Sequence, residues 1–252
     1  MMRIVALFLS ASATLFSLTI STQDSLRIAD KIWKNECAGT LEGLTHWGKG
    51  ESFGSFGIGH FIWYAKEGQE CFEETFPLLM MFLKEKGASM PSWLQKTSKS
   101  PWGSREEFYL KIDRPEMISL REMLFETRGL QAQFIVDRFE KVLNQITEKV
   151  PLKDKERVLK RVSDLVSTPN GIYAMVDYLN FKGSGLSEKE RYQGEGWGLL
   201  QVLLHTAPSS DPVEDFVKAA KITLEKRVKN SPSDRGEERW LKGWANRLET
   251  YL

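Results

Sequence analysis

The chain has 252 residues, of which 41% are hydrophobic, so it is long and apolar enough to bury a sizeable core. Its 35 basic and 34 acidic residues leave a formal net charge of +1. This balance argues against broad electrostatic binding of nucleic acid or of an anionic membrane, because both need a clear basic surplus.

The first 22 residues differ from the rest of the chain. Arg3 is their only charge, and residues 4–20 are apolar with small or weakly polar interruptions. A positive start before an apolar run predicts a secretory signal peptide over residues 1–22. The alternative is an uncleaved anchor, since the run is close to the shortest that spans a bilayer. We expect an exported protein, periplasmic or secreted, with no stable membrane partner beyond the signal peptide.

The chain contains two cysteines, Cys37 and Cys71. In an oxidising compartment they could form one disulfide, and the alternative is a pair of buried reduced thiols. A thiol protease would need a histidine motif beside one of them, and neither has such a motif.

A short helix followed by a glycine-rich stretch comes next. Leu26, Ile28, Ile32 and Trp33 recur with helical period, which predicts a helix over residues 25–36 capped by Asp24 or Ser25. The glycines after it favour a hairpin with strands at 44–47 and 52–56, joined through residues 48–51. Residues 59–64 are typical either of an extended segment or of a helix start.

Helical patterns dominate the remainder of the chain. Helices are predicted over residues 72–86, where Pro77 begins or kinks the helix, and then over 117–150, 153–166, 169–182, 213–228 and 240–251. Residues 87–104 are predicted as a loop, and residues 197–205 form a compact apolar segment. The fold class is therefore mainly α (α+β), with one small N-terminal β-hairpin and an enlarged helical part.

Two carboxylates in this N-terminal region suit glycoside cleavage. An acid must protonate the leaving oxygen, and a second carboxylate usually supports the oxocarbenium-like transition state. Glu36, at the end of an amphipathic helix, is the candidate acid, and Glu51, in the hairpin turn, is the candidate partner. Glu42 competes with Glu51 for this role, and Glu195 is a third carboxylate that could reach a cleft.

The run from Ser55 to His60, S-F-G-I-G-H, resembles the T-x-G-x-G-H signature of phage-type lysozymes (endolysins). In that family the signature follows a catalytic Glu at a helix end and a β-hairpin, and Glu36 has the matching position. The segments 173–183 and 240–249 resemble that family's "A-L-V-S-F-x-F-N-x-G" helix and its closing "G-L-x-x-R-R-x-x-E" helix. Residues 196–202 are similar to the "G-L-M-Q" run of goose-type lysozymes and lytic transglycosylases.

The resemblance implies a lysozyme-like domain over residues 23–252, with 65–165 as a helical insertion or elaboration. It implies that Ser55 holds a catalytic water or the second carboxylate. The family's Asp is replaced by Lys49, so Glu51 must substitute for it. The expected substrate-binding residues are aromatic or amide side chains and one histidine: Trp47, His60, Tyr64, Asn180 and Gln201, with Trp63 as a further aromatic candidate. For His60, a structural role that braces the hairpin is the alternative.

We therefore expect a monomeric glycoside hydrolase acting on a β-1,4-linked aminosugar polymer, with peptidoglycan as the substrate that the resemblance implies. A lytic transglycosylase, a chitosanase and a catalytically inactive glycan-binding or envelope-structural protein are the alternatives. No cofactor, metal or nucleic-acid partner is expected. A zinc site built from His46, His60 and Glu51 is disfavoured, because no histidine pair has the one-face helical spacing of zinc enzymes.

Overall fold

The computed structural model describes residues 6–10, 13–17, 21–65, 73–97, 99–188, 191–207 and 211–252. The chain forms two compact units, an N-terminal unit of Ser21–Ile135 and a C-terminal unit that contains Val136–Leu252. The boundary between them falls inside one helix, Arg128–Lys149. The predicted mainly α fold with a small antiparallel sheet near the N-terminus is confirmed.

Two short strands precede the N-terminal unit. Strand β1 (Ala6–Ser10) pairs antiparallel with β2 (Ala13–Ser17). The other residues of the proposed signal peptide up to Ile20 lie outside the described residues, so this segment stays a prediction. Among the described residues, no helix combines the length and the apolar character that a membrane span requires.

The N-terminal unit opens with a helix packed beside a small sheet. Helix α1 (Thr22–Cys37) is followed by a single turn of 3-10 helix and by strands β3 (Thr45–His46), β4 (Phe53–Phe56) and β5 (Phe61–Tyr64). The sheet is antiparallel in the order β3-β4-β5. Residues 59–64, for which the sequence left two alternatives, thus provide the third strand.

The ends of α1 have clear local causes. The hydroxyl of Ser21 accepts a hydrogen bond from the Asp24 amide at 3.1 Å, so Ser21 is the cap and the predicted caps Asp24 and Ser25 are wrong. The helix ends where Ala38 adopts a left-handed φ of 52°. This conformation turns the chain directly after Cys37 and fixes Glu36 in the last turn.

The rest of the N-terminal unit is helical. It comprises α2 (Phe76–Glu85), α3 (Arg105–Leu110), α4 (Pro115–Glu126) and the beginning of α5 (Arg128–Lys149). Pro77 lies in the first turn of α2 and therefore begins the helix rather than kinking it. The expected helical stretch 117–150 is divided at Thr127. An aromatic cluster fills the core, with ring centroids 4.6 Å apart for Trp63 and Phe76 and 5.0 Å apart for Phe56 and Phe76.

The C-terminal unit follows the predicted order of helices. Its elements are α6 (Leu152–Val166), α7 (Pro169–Lys182), β6 (Arg191–Tyr192), β7 (Glu195–Gly196), α8 (Leu199–His205), α9 (Pro212–Asn230) and α10 (Leu241–Glu249). Thr168 caps α7 by accepting from the Gly171 amide, as expected for Thr before Pro. Arg247 of α10 makes two 2.8 Å bonds to the buried carboxylate of Asp177 in α7, which ties these helices together.

Candidate functional site

Glu36 lies in the last turn of α1 and faces a histidine of the sheet region. Buried residues of α1, among them Ile28 and Ile32, hold the helix against the unit's interior. The side chain of Glu36 is only 17% exposed, and its Oε2 lies 3.7 Å from Nδ1 of His60. Helix and turn therefore bring together two titratable residues that are 24 positions apart in the sequence.

His60 is fixed by a tight turn between β4 and β5. Its amide donates to the Gly57 carbonyl at 3.2 Å, and its own φ is 48°, a left-handed conformation that is uncommon for a residue with a side chain. Nε2 lies 3.3 Å from the Gly43 carbonyl oxygen. Because a carbonyl can only accept, this contact places a proton on Nε2 and leaves Nδ1 to face Glu36.

Cys37 lies beside this pair. Its Sγ is 3.6 Å from the Gly57 carbonyl oxygen and 3.7 Å from Nε2 of His60. Burial, and then the neighbouring Glu36, raise the pKa of the Cys37 thiol to about 12. A thiol that stays protonated at neutral pH is a poor nucleophile, which argues against a thiol protease.

The expected disulfide has no support. Within the described residues Cys37 is a free, buried thiol, and Cys71 lies outside them. Of the two alternatives that the sequence leaves open, the structure is consistent with a reduced thiol at Cys37.

Ser55 and His46 lie directly opposite each other on β4 and β3, so their side chains share one face of the sheet. Ser55 is 8% exposed, and the His46 ring is stacked on the His60 ring with centroids 6.2 Å apart. Burial and then the charge of His60 lower the pKa of His46. Glu36, His60, His46 and Ser55 therefore form one continuous group, which we call the Glu36 cluster.

Glu51 occupies the tip of the hairpin and braces it. Its Oε2 accepts from the Gly48 amide at 3.1 Å, and its backbone carbonyl accepts from the Trp47 indole at 2.9 Å. A Cβ at position 48 would lie 2.4 Å from Oε2 of Glu51, so a larger residue there would displace the Glu51 carboxylate. These bonds are those of a turn residue, and they give the predicted role of second carboxylate no direct support.

The predicted aromatic platform is contradicted by burial. Trp47 is 2% exposed, Trp63 1% and Tyr64 fully buried. The Trp47 ring packs edge-on against Phe108, and the Tyr64 ring packs edge-on against Phe53. A ring enclosed on both faces offers no surface to a sugar, so the prediction of sugar stacking by Trp47 and Tyr64 is wrong for this structure.

Asn180 and Gln201 belong to the C-terminal unit. Gln201 accepts from the Gly198 amide at 3.0 Å and donates to the Gly185 carbonyl at 3.2 Å, so its amide satisfies loop backbone instead of being available to a substrate. Asn180 lies exposed near the C-terminal end of α7. The predicted substrate contact of Asn180 stays a prediction.

One residue that supports the site has no sequence signature. Gln131, in α5, is fully buried, and its Oε1 accepts from the Ile58 amide at 2.9 Å while its Nε2 donates to the Leu124 carbonyl at 2.6 Å. It thereby holds the turn that carries His60. A glutamine inside a long amphipathic helix is usually read as a surface residue, so the sequence alone does not identify this contact.

The remaining alternative for this region is a zinc site built from His46, His60 and Glu51. In the part of the chain that the structure describes, no group of three or more His, Cys, Asp or Glu side chains is arranged to hold a metal ion. The histidines of the Glu36 cluster contact each other and a carboxylate without forming such a group.

The chain matches no protein-family model, no curated protein and no solved structure. The lysozyme resemblance therefore rests on the sequence motifs quoted above.

Proposed function

We propose that this protein is an exported enzyme that cleaves a β-1,4-linked aminosugar polymer, peptidoglycan in the first instance, with Glu36 as the general acid. The observation that carries the proposal is the Glu36–His60 contact at the end of α1. A largely buried carboxyl group, placed where a helix meets a small sheet, is the arrangement that the lysozyme resemblance implies for residues 36–60.

The chemistry needs a carboxyl group that gives up a proton to the leaving glycosidic oxygen and then exists as a carboxylate. His60 can contact both the acid form and the carboxylate form of Glu36. Since Nε2 keeps its proton on the Gly43 carbonyl, Nδ1 of the neutral imidazole presents a lone pair to the acid form of Glu36. After Glu36 has given its proton to the glycosidic oxygen, a proton taken up from water by Nδ1 would provide an N–H for the carboxylate. We therefore assign His60 as a positioning residue for Glu36.

The position of Glu51 bears on whether the enzyme is a hydrolase or a lytic transglycosylase. A hydrolase of the two-carboxylate kind needs a second carboxylate beside the sugar, whereas a lytic transglycosylase needs one acid–base residue and no activated water. The Glu51 carboxylate is bonded to the Gly48 amide, and this contact favours a lytic transglycosylase. A lytic transglycosylase is therefore the second candidate function.

The proposal is tested by turbidity clearing of purified cell walls. The wild-type protein should clear the suspension, and Glu36→Gln should abolish clearing while its circular dichroism spectrum is unchanged. Glu85→Gln, which alters an exposed glutamate of α2 in the same unit, is the matched control and should clear normally.

Two results would go against the assignment. Equal clearing by wild type and Glu36→Gln removes Glu36 from the mechanism. Binding of wild-type protein to sedimented walls without any clearing identifies the inactive glycan-binding alternative.

A further inference from the structure

A cavity of about 550 Å³ lies in the C-terminal unit, among helices α6, α8 and α9. It is separate from the Glu36 cluster, whose residues all belong to the N-terminal unit. Its walls combine an apolar part, formed by Leu165, Ala207 and Pro212, with several charged side chains. A volume of this size is typical of a site for a small organic molecule and far exceeds that of one water.

Arg161 is the unusual member of this wall. The residue is only 8% exposed, and its Nε and Nη1 are buried with no hydrogen-bond acceptor in the structure. An unpaired, buried guanidinium N–H costs free energy, because the donors lose water without gaining a partner. Buried polar groups of native proteins nearly always have a hydrogen-bond partner, so these donors, which line a cavity, point to an acceptor bound there.

The other cationic side chains of the cavity wall each form an ion pair. Lys160 Nζ lies 2.9 Å from Asp164 Oδ2, and Arg157 is bonded to Asp154. Asp215, which is 7% exposed, is the remaining carboxylate of the wall, and it bonds neither Nε nor Nη1 of Arg161. Three cationic and two anionic side chains line the cavity, and Asp154 pairs with the third cation, so the charges nearly balance. The unpaired Nε and Nη1 donors of Arg161 are therefore the feature that favours an anion.

His205, at the end of α8, adds no charge at neutral pH. Burial, and then the charge of Lys226, lower the pKa of its imidazole. The proposed affinity for an anion therefore depends on Arg161, whose guanidinium is charged at neutral pH.

We propose that this cavity binds a small organic anion, a carboxylate or a phosphate monoester with an apolar body. The anionic oxygens accept hydrogen bonds from Arg161, and the apolar body lies against Leu165, Ala207 and Pro212. The site is independent of the proposed glycan cleavage.

The test uses three probes of similar shape: benzoate, phenyl phosphate and neutral benzyl alcohol. Binding is followed by amide chemical shifts and by the thermal unfolding midpoint of the full chain. Benzoate or phenyl phosphate should shift the amides of Leu165, Thr206 and Ala207 and raise the midpoint, and benzyl alcohol should do neither. Whichever of the two anions binds with higher affinity identifies the preferred headgroup as carboxylate or phosphate.

Arg161→Met should weaken binding of the anion by roughly tenfold or more, as expected for the loss of a charge-assisted hydrogen bond. Lys153→Met, which removes an exposed cation from the same helix, is the matched control and should bind like the wild type. If Arg161→Met does not fold, the amide shifts of the wild type still test whether the anion binds in the cavity. Shifts confined to the cavity support the proposal, whereas no binding, binding elsewhere, or equal binding of benzyl alcohol overturns it.

Discussion

Oε2 of Glu36 lies 3.7 Å from Nδ1 of His60, across the junction between the end of α1 and the turn that precedes β5. The helix places the carboxyl group, and the left-handed backbone of His60 places the imidazole. On the opposite side of the ring, Nε2 is occupied by the Gly43 carbonyl. This orientation makes the imidazole a partner of Glu36 and not only a brace of the hairpin.

Replacing Glu51 separates a catalytic from a structural role. We expect Glu51→Gln to retain wall clearing within about tenfold of the wild type, because glutamine keeps an oxygen for the Gly48 amide. A general acid–base residue contributes on the order of 10²-fold or more. A loss of that size in initial clearing rates would therefore restore Glu51 as the second carboxylate.

Removing the His60 ring should change the pKa of His46. The charge of His60 is the second cause, after burial, of the lowered pKa of His46. We expect His60→Gln to raise the pKa of His46 towards its usual range, because a repelling cation is removed. Imidazole shifts followed by NMR over a pH titration measure this, and an unchanged His46 pKa would show that the rings do not interact in solution.

Cys37 should resist alkylation in the folded protein. With a pKa of about 12, its thiol is protonated at about pH 8, where an unfolded thiol is partly ionised. In a Cys71→Ser variant, iodoacetamide should label Cys37 much more slowly in buffer than in guanidinium chloride. Equal labelling rates in the two solutions would contradict the burial of this thiol.

The raised pKa of Cys37 also predicts how the stability of the protein changes with pH. The folded state holds the Cys37 proton more tightly than the unfolded state, whose thiol titrates near 9.0. The contribution of the buried Cys37 thiol to the free energy of unfolding is therefore fully present below about pH 9 and is lost as the pH rises towards about 12. A Cys37→Ala variant should show a smaller loss of stability over that interval.

Gln131 should be important for stability although it lies outside the Glu36 cluster. Gln131→Ala leaves the buried Ile58 amide without its acceptor, so we expect a loss of about 1–3 kcal/mol in the free energy of unfolding. Gln145→Ala, at an exposed position of the same helix, is the control and should change little. Urea denaturation of both variants measures the difference, and equal midpoints would show that Gln131 does not hold the turn.

The sequence predicts the elements well and the roles of buried side chains less well. Helical periodicity, Pro at helix starts and glycine-rich turns are local signals, and they identified α1, α7, α9 and the hairpin. Whether an aromatic ring is exposed depends on what packs over it, as Phe108 packs over Trp47, and a contact between distant segments has no local pattern. For the same reason the sequence suggested a platform at Trp47 and Tyr64 and missed the support from Gln131.

The most direct test of the central claim is mass spectrometry of the soluble fragments that the wild type and Glu36→Gln release from purified peptidoglycan. The proposal predicts disaccharide-containing fragments from the wild type, with reducing ends for a hydrolase or anhydro-sugars for a transglycosylase, and none above background from Glu36→Gln. Release of the same fragments at the same rate by Glu36→Gln would contradict the assignment of Glu36 as the general acid.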